Sequence, residues 1–171
     1  MKKYLLCALV AVTFFWGMES ASHAKPVGFH LDATLGSSYT FTPGGPDGIG
    51  NPLGNFGTSL EITPSVRFLM FSADLGLNYD FLQNNFTLRP GVRMFLGWFY
   101  LRAAIPLAFA FDRGLGSGLF DMGILVGAGA RITLGKWAIV AEANVSPMFL
   151  QISDRGVSVP AEFRLGVAYN F

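Results

Sequence analysis

No disulfide can form within this chain, because its one cysteine, Cys7, has no partner. Cys7 also lies inside an amino-terminal stretch that reads as an export leader, so thiolate metal sites and cysteine nucleophiles are excluded from everything after it. Charge is scarce, with Asp, Glu, Lys and Arg at 13% of residues. Histidine is scarcer: beyond His23 in the leader there is only His30, so no pair of imidazoles exists to hold a metal. No uncharged apolar run beyond the leader approaches the about 20 residues that a bilayer-spanning helix needs. Nor does one sign of charge prevail. Leaving out Lys2, Lys3 and Glu19 takes the 12 basic and 11 acidic residues to ten of each. That removes the basic face a nucleic-acid partner would require.

The leader has the three parts of a secretory signal. Lys2 and Lys3 supply the positive start, Tyr4 to Met18 the apolar run, and Ser22-His23-Ala24 the small residues of a cleavage site, placing the cut after Ala24. Residues 1–24 are therefore expected to be a removed signal peptide and 25–171 one exported domain. That domain is oily on average, the whole chain having a mean hydropathy of +0.44, yet it is nowhere continuously oily. A two-residue alternation reconciles these facts.

The alternation begins at Val27. Val27, Phe29, Leu31, Ala33, Leu35, Tyr39 and Phe41 share one parity, and His30, Asp32, Thr34, Ser38 and Thr40 the other. This is the period of a β-strand whose faces differ. A Pro/Gly-rich stretch, Pro43 to Asn55, reads as a loop. Seven further strands follow, predicted over Phe56–Phe68, Phe71–Phe81, Phe86–Met94, Phe99–Phe111, Phe120–Ile132, Trp137–Phe149 and Val157–Phe171. Each is long enough for a tilted membrane strand, about 9–11 residues.

The charges sort by parity. Asp32, Glu61, Asp74, Asp80, Asp121, Glu142 and Glu162 lie on the second face together with Arg67, Arg89, Arg93, Arg102, Arg131 and Arg164. The rest (Lys25, Asp47, Asp112, Arg113, Lys136, Asp154, Arg155) fall in turns, loops or the amino-terminal stub, and none falls on the apolar face. A charge turned to lipid at mid-bilayer costs about 2–4 kcal/mol for Arg or Lys, so the pattern points to an apolar outside and a charged inside. Aromatic residues gather at the strand ends of the apolar face: Phe29, Phe68, Phe71, Phe99, Trp137, Tyr169 and Phe171 at one rim, Tyr39, Phe56, Tyr79, Phe81, Phe86, Phe109 and Phe149 among those at the other. Two such girdles around an aliphatic band describe a membrane barrel. The connections alternate likewise, from tight turns (Leu69-Met70, Gly97-Trp98, Gly135-Lys136) to longer loops. Leu69-Met70 lacks the Gly or Asn expected of a tight turn.

The chain ends Arg164-Leu165-Gly166-Val167-Ala168-Tyr169-Asn170-Phe171. The spacing polar-x-Gly-x-x-aromatic-x-aromatic, met at Arg164, Gly166, Tyr169 and Phe171, resembles the carboxy-terminal assembly signal of bacterial outer-membrane barrels. With it, the residues from 25 onward resemble the small eight-stranded barrels of the OmpA transmembrane-domain and OmpX kind. The resemblance implies an all-β, eight-stranded antiparallel up-and-down transmembrane barrel in the outer membrane of a Gram-negative cell. It implies outer-membrane lipid and lipopolysaccharide as surroundings, the barrel-assembly machinery as a partner in biogenesis, and no cofactor. Its members include structural and adhesion barrels, small-solute pores and lipid A-modifying enzymes, and fold does not choose among them.

Eight strands leave an interior that side chains fill, so balanced inward charges read as a salt-bridged plug before a pore. The expected network comprises Asp74, Arg93, Arg102, Glu142, Arg164, Glu61 and Arg67. Hairpin counting places Asp74 opposite Arg93 (with Leu82–Asn85 as the loop), Arg93 opposite Arg102, a like pair needing a shared carboxylate, and Glu142 opposite Arg164. The inward glycines Gly123, Gly127 and Gly129 are expected to leave room for arginine side chains. His30 faces inward near the short-turn rim with Arg67 as its expected neighbour, and without a Ser or Cys partner it reads as a structural hydrogen bonder. Asp47-Gly48-Ile49-Gly50-Asn51 lacks the acidic run of a calcium loop. Gly114-Leu115-Gly116-Ser117-Gly118 lies between strands, where no phosphate-cradling helix follows. The first loop with Asp47, together with Asp112 and Arg113, is the candidate contact for a surface ligand of unknown nature. Three functions stay open: a non-catalytic structural or interaction barrel, which the filled lumen favours; a narrow channel for small solutes; and a lipid A-modifying enzyme.

Overall fold

The computed structural model describes residues 27–41, 56–82, 84–110, 120–149 and 158–171. The leader with its cut after Ala24, and the loop residues Asp47, Asp112 and Arg113, lie outside them. Ten strands are present: β1 (Val27–Phe41), β2 (Phe56–Phe68), β3 (Phe71–Asp80), β4 (Asn85–Leu96), β5 (Phe99–Ala104), β6 (Leu107–Ala110), β7 (Phe120–Met122), β8 (Leu125–Leu134), β9 (Trp137–Val145) and β10 (Val159–Asn170). They build eight staves, because β5 and β6 run on as one stave and β7 and β8 as another. Each stave pairs antiparallel with its chain neighbours, and β1 pairs with β10 to close the ring. Closure removes the free edges that a bilayer could not hydrogen-bond.

The register gives the stagger of the barrel. A path straight across the strands runs Phe29, Val66, Ala73, Val92, Ala103, Val126, Val145, Ala161 and returns to β1 at Tyr39, ten residues above its start. Ten residues of rise over eight inter-strand steps tilt the strands by about 40°. Every residue on that path faces outward, and between its rim aromatics it is Val or Ala, the aliphatic belt read from the sequence.

Burial alternates as the parity requires. Along β2, Gly57, Ser59, Glu61, Thr63 and Ser65 are buried while Phe56, Thr58, Ile62, Pro64, Val66 and Phe68 are exposed. The same holds for β3 and β9. Large apolar side chains are exposed on every stave, Leu35 at 60% and Phe163 at 55% for example, whereas Glu61 and Arg164 are exposed at 1%. Water on both sides would invert that order; hydrocarbon outside accounts for it. The rims carry ring contacts: Trp137, Tyr169 and Phe171 stack edge to face at 5.0 Å spacings at the short-turn end, and Tyr39 meets Phe56 at 5.1 Å at the other.

Three tight turns join the staves at the first rim. Gly97 and Gly135 take left-handed φ values of 70° and 67° in two of them. In the third, Leu69 does the same at 53° without a glycine's freedom. Arg67 Nε donates to the Leu69 carbonyl at 2.9 Å and so holds that conformation. At the far rim the loop between β3 and β4 spans Phe81–Asn84, one residue earlier than the count from sequence. Asp80 Oδ1 accepts the Leu82 N–H at 2.9 Å, and Asn84 adopts φ 51° with its side chain accepting from the Tyr79 hydroxyl at 2.6 Å. Asn thus serves as the left-handed residue of the turn, and Asn85 is freed to pair with Asp80. The shift moves Asp74 opposite Gly91 and Arg93 opposite Ser72, correcting the expected Asp74–Arg93 register.

Three of the predicted strands are interrupted: Phe99–Phe111 at Ile105-Pro106, Phe120–Ile132 at Gly123-Ile124 and Trp137–Phe149 at Ser146-Pro147. Proline explains these breaks. Pro106, facing Gly123, and Pro90, facing Ile105, have no N–H for the ladder, and neither has Pro147, facing Ile124.

Two substitutions test this frame. Leu69→Gly relieves the left-handed strain and raises unfolding stability in detergent by about 0.5–1 kcal/mol, measurable as a higher urea midpoint. At Gly166 a Cβ would run into the Ala33 carbonyl and lie 2.6 Å from Thr34 Cα across the β1–β10 seam. Gly166→Val therefore abolishes the heat-modifiable folded band on unboiled gels.

Candidate functional site

The lumen holds Arg89, Arg93, Arg102, Arg131 and Arg164 with Asp32, Glu61, Asp74, Glu142 and Glu162, all at most 9% exposed. Alternation turns each of these side chains inward, and the stagger brings distant strands to one height. The result is an unbroken chain of ion pairs in which five cations meet five anions.

At the short-turn end, Arg131 Nη2 donates to Asn170 Oδ1 at 2.6 Å, and His30 Nδ1 lies 2.7 Å from the same oxygen. Arg131 Nη1 reaches Asp32 Oδ1 at 3.2 Å, and the other oxygen of Asp32 takes Arg93. In the middle tier, Asp74 Oδ2 lies 2.8 Å from Arg93 Nε and 3.4 Å from Arg102 Nε. Glu142 accepts from Arg102 Nη1 at 2.8 Å, Asn144 Nδ2 at 2.7 Å and the Tyr100 hydroxyl at 2.6 Å. Above it, Glu61 accepts from Arg102 Nη1 at 2.8 Å, Arg89 Nη1 at 3.0 Å and Thr63 Oγ1 at 3.0 Å. Glu162 binds both terminal nitrogens of Arg89, at 2.6 and 2.8 Å, in a fork that suits a guanidinium, and accepts from Arg164 Nε at 3.0 Å. Arg164 Nη2 adds Ser59 and Asn78, each at 2.8 Å.

Four of these carboxylates answer more than one donor, whereas Asp74 lies between two guanidinium groups as an ion-pair partner without a hydrogen bond to either. Taking a charge out of water costs several kcal/mol, and only good geometry with further hydrogen bonds offsets it. The arrangement ties facing staves together across the lumen. Among the described residues, no three His, Cys, Asp or Glu side chains converge to hold a metal.

No protein-family profile matches the sequence, and neither does any curated protein. The architecture is similar to the crystal structure of Neisserial surface protein A, with a TM-score of 0.58 and 16% identity over 86% of this chain and 100% of that one. The fold is that of the small eight-stranded outer-membrane barrels.

Within this barrel, six of the seven residues chosen from sequence (Glu61, Asp74, Arg93, Arg102, Glu142, Arg164) lie in one network. Arg93 and Arg102 do face each other, and Asp74 is the carboxylate between them. Arg67 behaves otherwise: its guanidinium stacks 4.2 Å over the Phe95 ring, closing the short-turn end with an aromatic contact. Glu142 pairs with Arg164 in the ladder, but Arg164 leans to Glu162 and Glu61, at 3.0 and 3.6 Å. The side chain of an arginine is long enough to pass its cross-strand neighbour and choose a carboxylate two residues along or across the lumen.

His30 lies between Ser65 and Asn170 in the ladders, while Arg67 faces Gly28, correcting the expected His30–Arg67 neighbours. The glycines of the sixth stave make room for other groups than arginine. Gly129 faces the Tyr100 ring, Gly127 the Asn144 amide and Gly123 Met148. Arginine is accommodated at Gly36, where a Cβ would meet Arg164 Cγ at 2.8 Å, and at Gly76, where it would meet Arg102 Nη2 at 2.9 Å.

Of the assembly-signal residues, Arg164 points inward into the network, Gly166 packs on β1, and Tyr169 and Phe171 join the rim aromatics. The choice of network residues omitted Asp32, Arg89, Arg131 and Glu162. Parity had placed them inside, but hairpin counting sees only adjacent strands, and Arg89–Glu162 spans the lumen between β4 and β10.

Glu61 is the hub, touched by Arg89, Arg102 and Arg164. Glu61→Gln strands those cations and lowers stability by about 3–5 kcal/mol, read from urea unfolding of the detergent-folded protein. Lys136→Ala, at an exposed turn, changes it by less than about 0.5 kcal/mol.

Proposed function

We propose that this protein is a non-catalytic barrel of the bacterial outer membrane with a structural or surface-interaction role, its lumen shut by the ion-pair network. Residues 1–24 are a leader removed on export and residues 25–171 the barrel, surrounded by lipid and lipopolysaccharide. The carboxy-terminal residues Arg164, Gly166, Tyr169 and Phe171 serve recognition by the assembly machinery. The observation that carries this reading is the continuity and neutrality of the lumen charges. Arg131, Asp32, Arg93, Glu142, Arg102, Glu61, Arg89 and Glu162 form one path of contacts in which four cations alternate with four anions. An eight-stranded interior is filled by such side chains. The structural neighbour is by name a surface protein, in keeping with a role at the cell surface. The first loop with Asp47, together with Asp112 and Arg113, is the proposed place of contact with a partner.

Planar-bilayer recording tests the closed lumen. The expected result is the absence of resolved openings from the folded protein. Steady openings whose size changes in Glu142→Ala would replace this reading with a narrow channel. Mass spectrometry of lipid A from cells with and without the protein tests the absence of catalysis; the same acyl pattern is expected in both, and a changed one would overturn it.

A further inference from the structure

One cation of the lumen stands outside the ion-pair network. Arg67 turns inward at the short-turn mouth, half-buried, where water still reaches it. Among the described residues its contacts are the Leu69 carbonyl, 2.9 Å from Nε, and the Phe95 ring, 4.2 Å from the guanidinium carbon. No carboxylate among them pairs with it. The acids of this half of the lumen are already shared, Asp32 by Arg93 and Arg131, and Asp74 by Arg93 and Arg102. With Nε committed to Leu69, the two terminal nitrogens form the open edge of the fork.

His30, beside it, carries an unused atom of the opposite kind. Arg131 can only donate, so the Asn170 atom it meets at 2.6 Å is the amide oxygen. His30 Nδ1 lies 2.7 Å from that oxygen and so carries the proton of the neutral ring. Nε2 is left as an acceptor, buried and without a partner. Gly28 brings the two groups together. It faces Arg67 in the ladder, and a Cβ there would lie 3.1 Å from His30 Nε2. The absent side chain leaves a notch between guanidinium and imidazole. Two buried hydroxyls border it, Ser65 facing His30 and Ser72 facing Arg67. Ser72 Oγ reaches the Ala73 carbonyl only at 3.5 Å. Inward side chains on neighbouring strands stand about 5 Å apart, a span that one tetrahedral oxyanion bridges.

We propose that Arg67, His30, Ser65 and Ser72 form a binding site at the short-turn mouth for a phosphate group that carries a proton. The guanidinium fork takes two phosphate oxygens. The serine hydroxyls donate to a third, and the phosphate O–H donates to His30 Nε2. Sulfate, carboxylates and phosphate diesters bring no O–H at neutral pH and leave Nε2 unanswered. Inorganic phosphate brings one in both of its forms near neutrality. A phosphate monoester brings it in part, its second pKa being about 6. The site therefore fits dissolved phosphate or the monoester headgroup of a lipid. It lies outside the ion-pair path, so its failure leaves the closed lumen untouched.

The test titrates inorganic phosphate into the nitrogen-15-labelled protein, folded in a phosphate-free glucoside detergent, and follows the Arg67 Nε and His30 Nε2 resonances. Both are expected to shift saturably. Sulfate and dimethyl phosphate are expected to bind about tenfold more weakly, because each leaves the buried acceptor unpaired. Arg67→Gln is expected to abolish binding. Should that variant fail to fold, Gly28→Ala decides by the same readout. It fills the notch, keeps every donor in place and is expected to weaken binding about tenfold. Phosphatidic acid mixed into the micelles separates the two sources. Displacement of dissolved phosphate assigns the site to a lipid headgroup, and its retention assigns the site to the dissolved anion. No saturable shift, equal binding of sulfate, or undiminished binding in either folded variant overturns the proposal.

Discussion

Hydrocarbon solvates neither a charge nor an unpaired peptide group, and every level of this molecule answers to that constraint. It explains why the sheet closes, since an open edge would leave a row of N–H and C=O groups in lipid. It explains why thirteen charged side chains share one parity, since the other parity faces the bilayer. It also explains why the inward charges balance so closely. A closed eight-stranded wall has no room to hydrate them, so each must be neutralised by another side chain.

The stagger of the barrel determines which pairs form. A rise of ten residues around the ring, from Phe29 to Tyr39, tilts the staves and carries inward side chains obliquely past their ladder partners. Arg164 faces Glu142 in the ladder yet binds Glu162 and Glu61. Arg89 crosses from β4 to Glu162 on β10. A network tied across the lumen couples staves that share no ladder, so it resists both shear between strands and flattening of the ring. The two lumen ends are finished differently, by Arg67 on Phe95 near the short turns and, toward the loops, by Leu125 and Met148 on one side and Asp80 and Ser38 on the other.

Proline introduces the opposite tendency. A ladder in lipid gains from every bond, and yet Pro90, Pro106, Pro147 and Pro160 each withhold one. The losses also reach the walls of the ion-pair network: Pro64 interrupts the β2–β3 ladder on the stave of Glu61, and Pro90 adjoins Arg89.

The sequence by itself determined the strand number, the two faces, the aromatic rims and the inside location of the charges. A period of two and the cost of a charge in lipid are local and additive, so Asp32, Arg89 and Glu162 could be turned inward without coordinates. The facing of Arg93 and Arg102 was legible for the same reason, because a two-residue turn with Gly97 leaves no freedom of register. The Asp80–Asn85 closure was not, because it depends on Asn84 taking a left-handed conformation that Tyr79 and Asp80 hold. Only the tertiary structure decided which carboxylate each arginine takes, that Gly36 and Gly76 make the space for arginine, and that Tyr100 fills the space over Gly129. Those choices depend on the stagger, a property of the closed ring that no single hairpin contains.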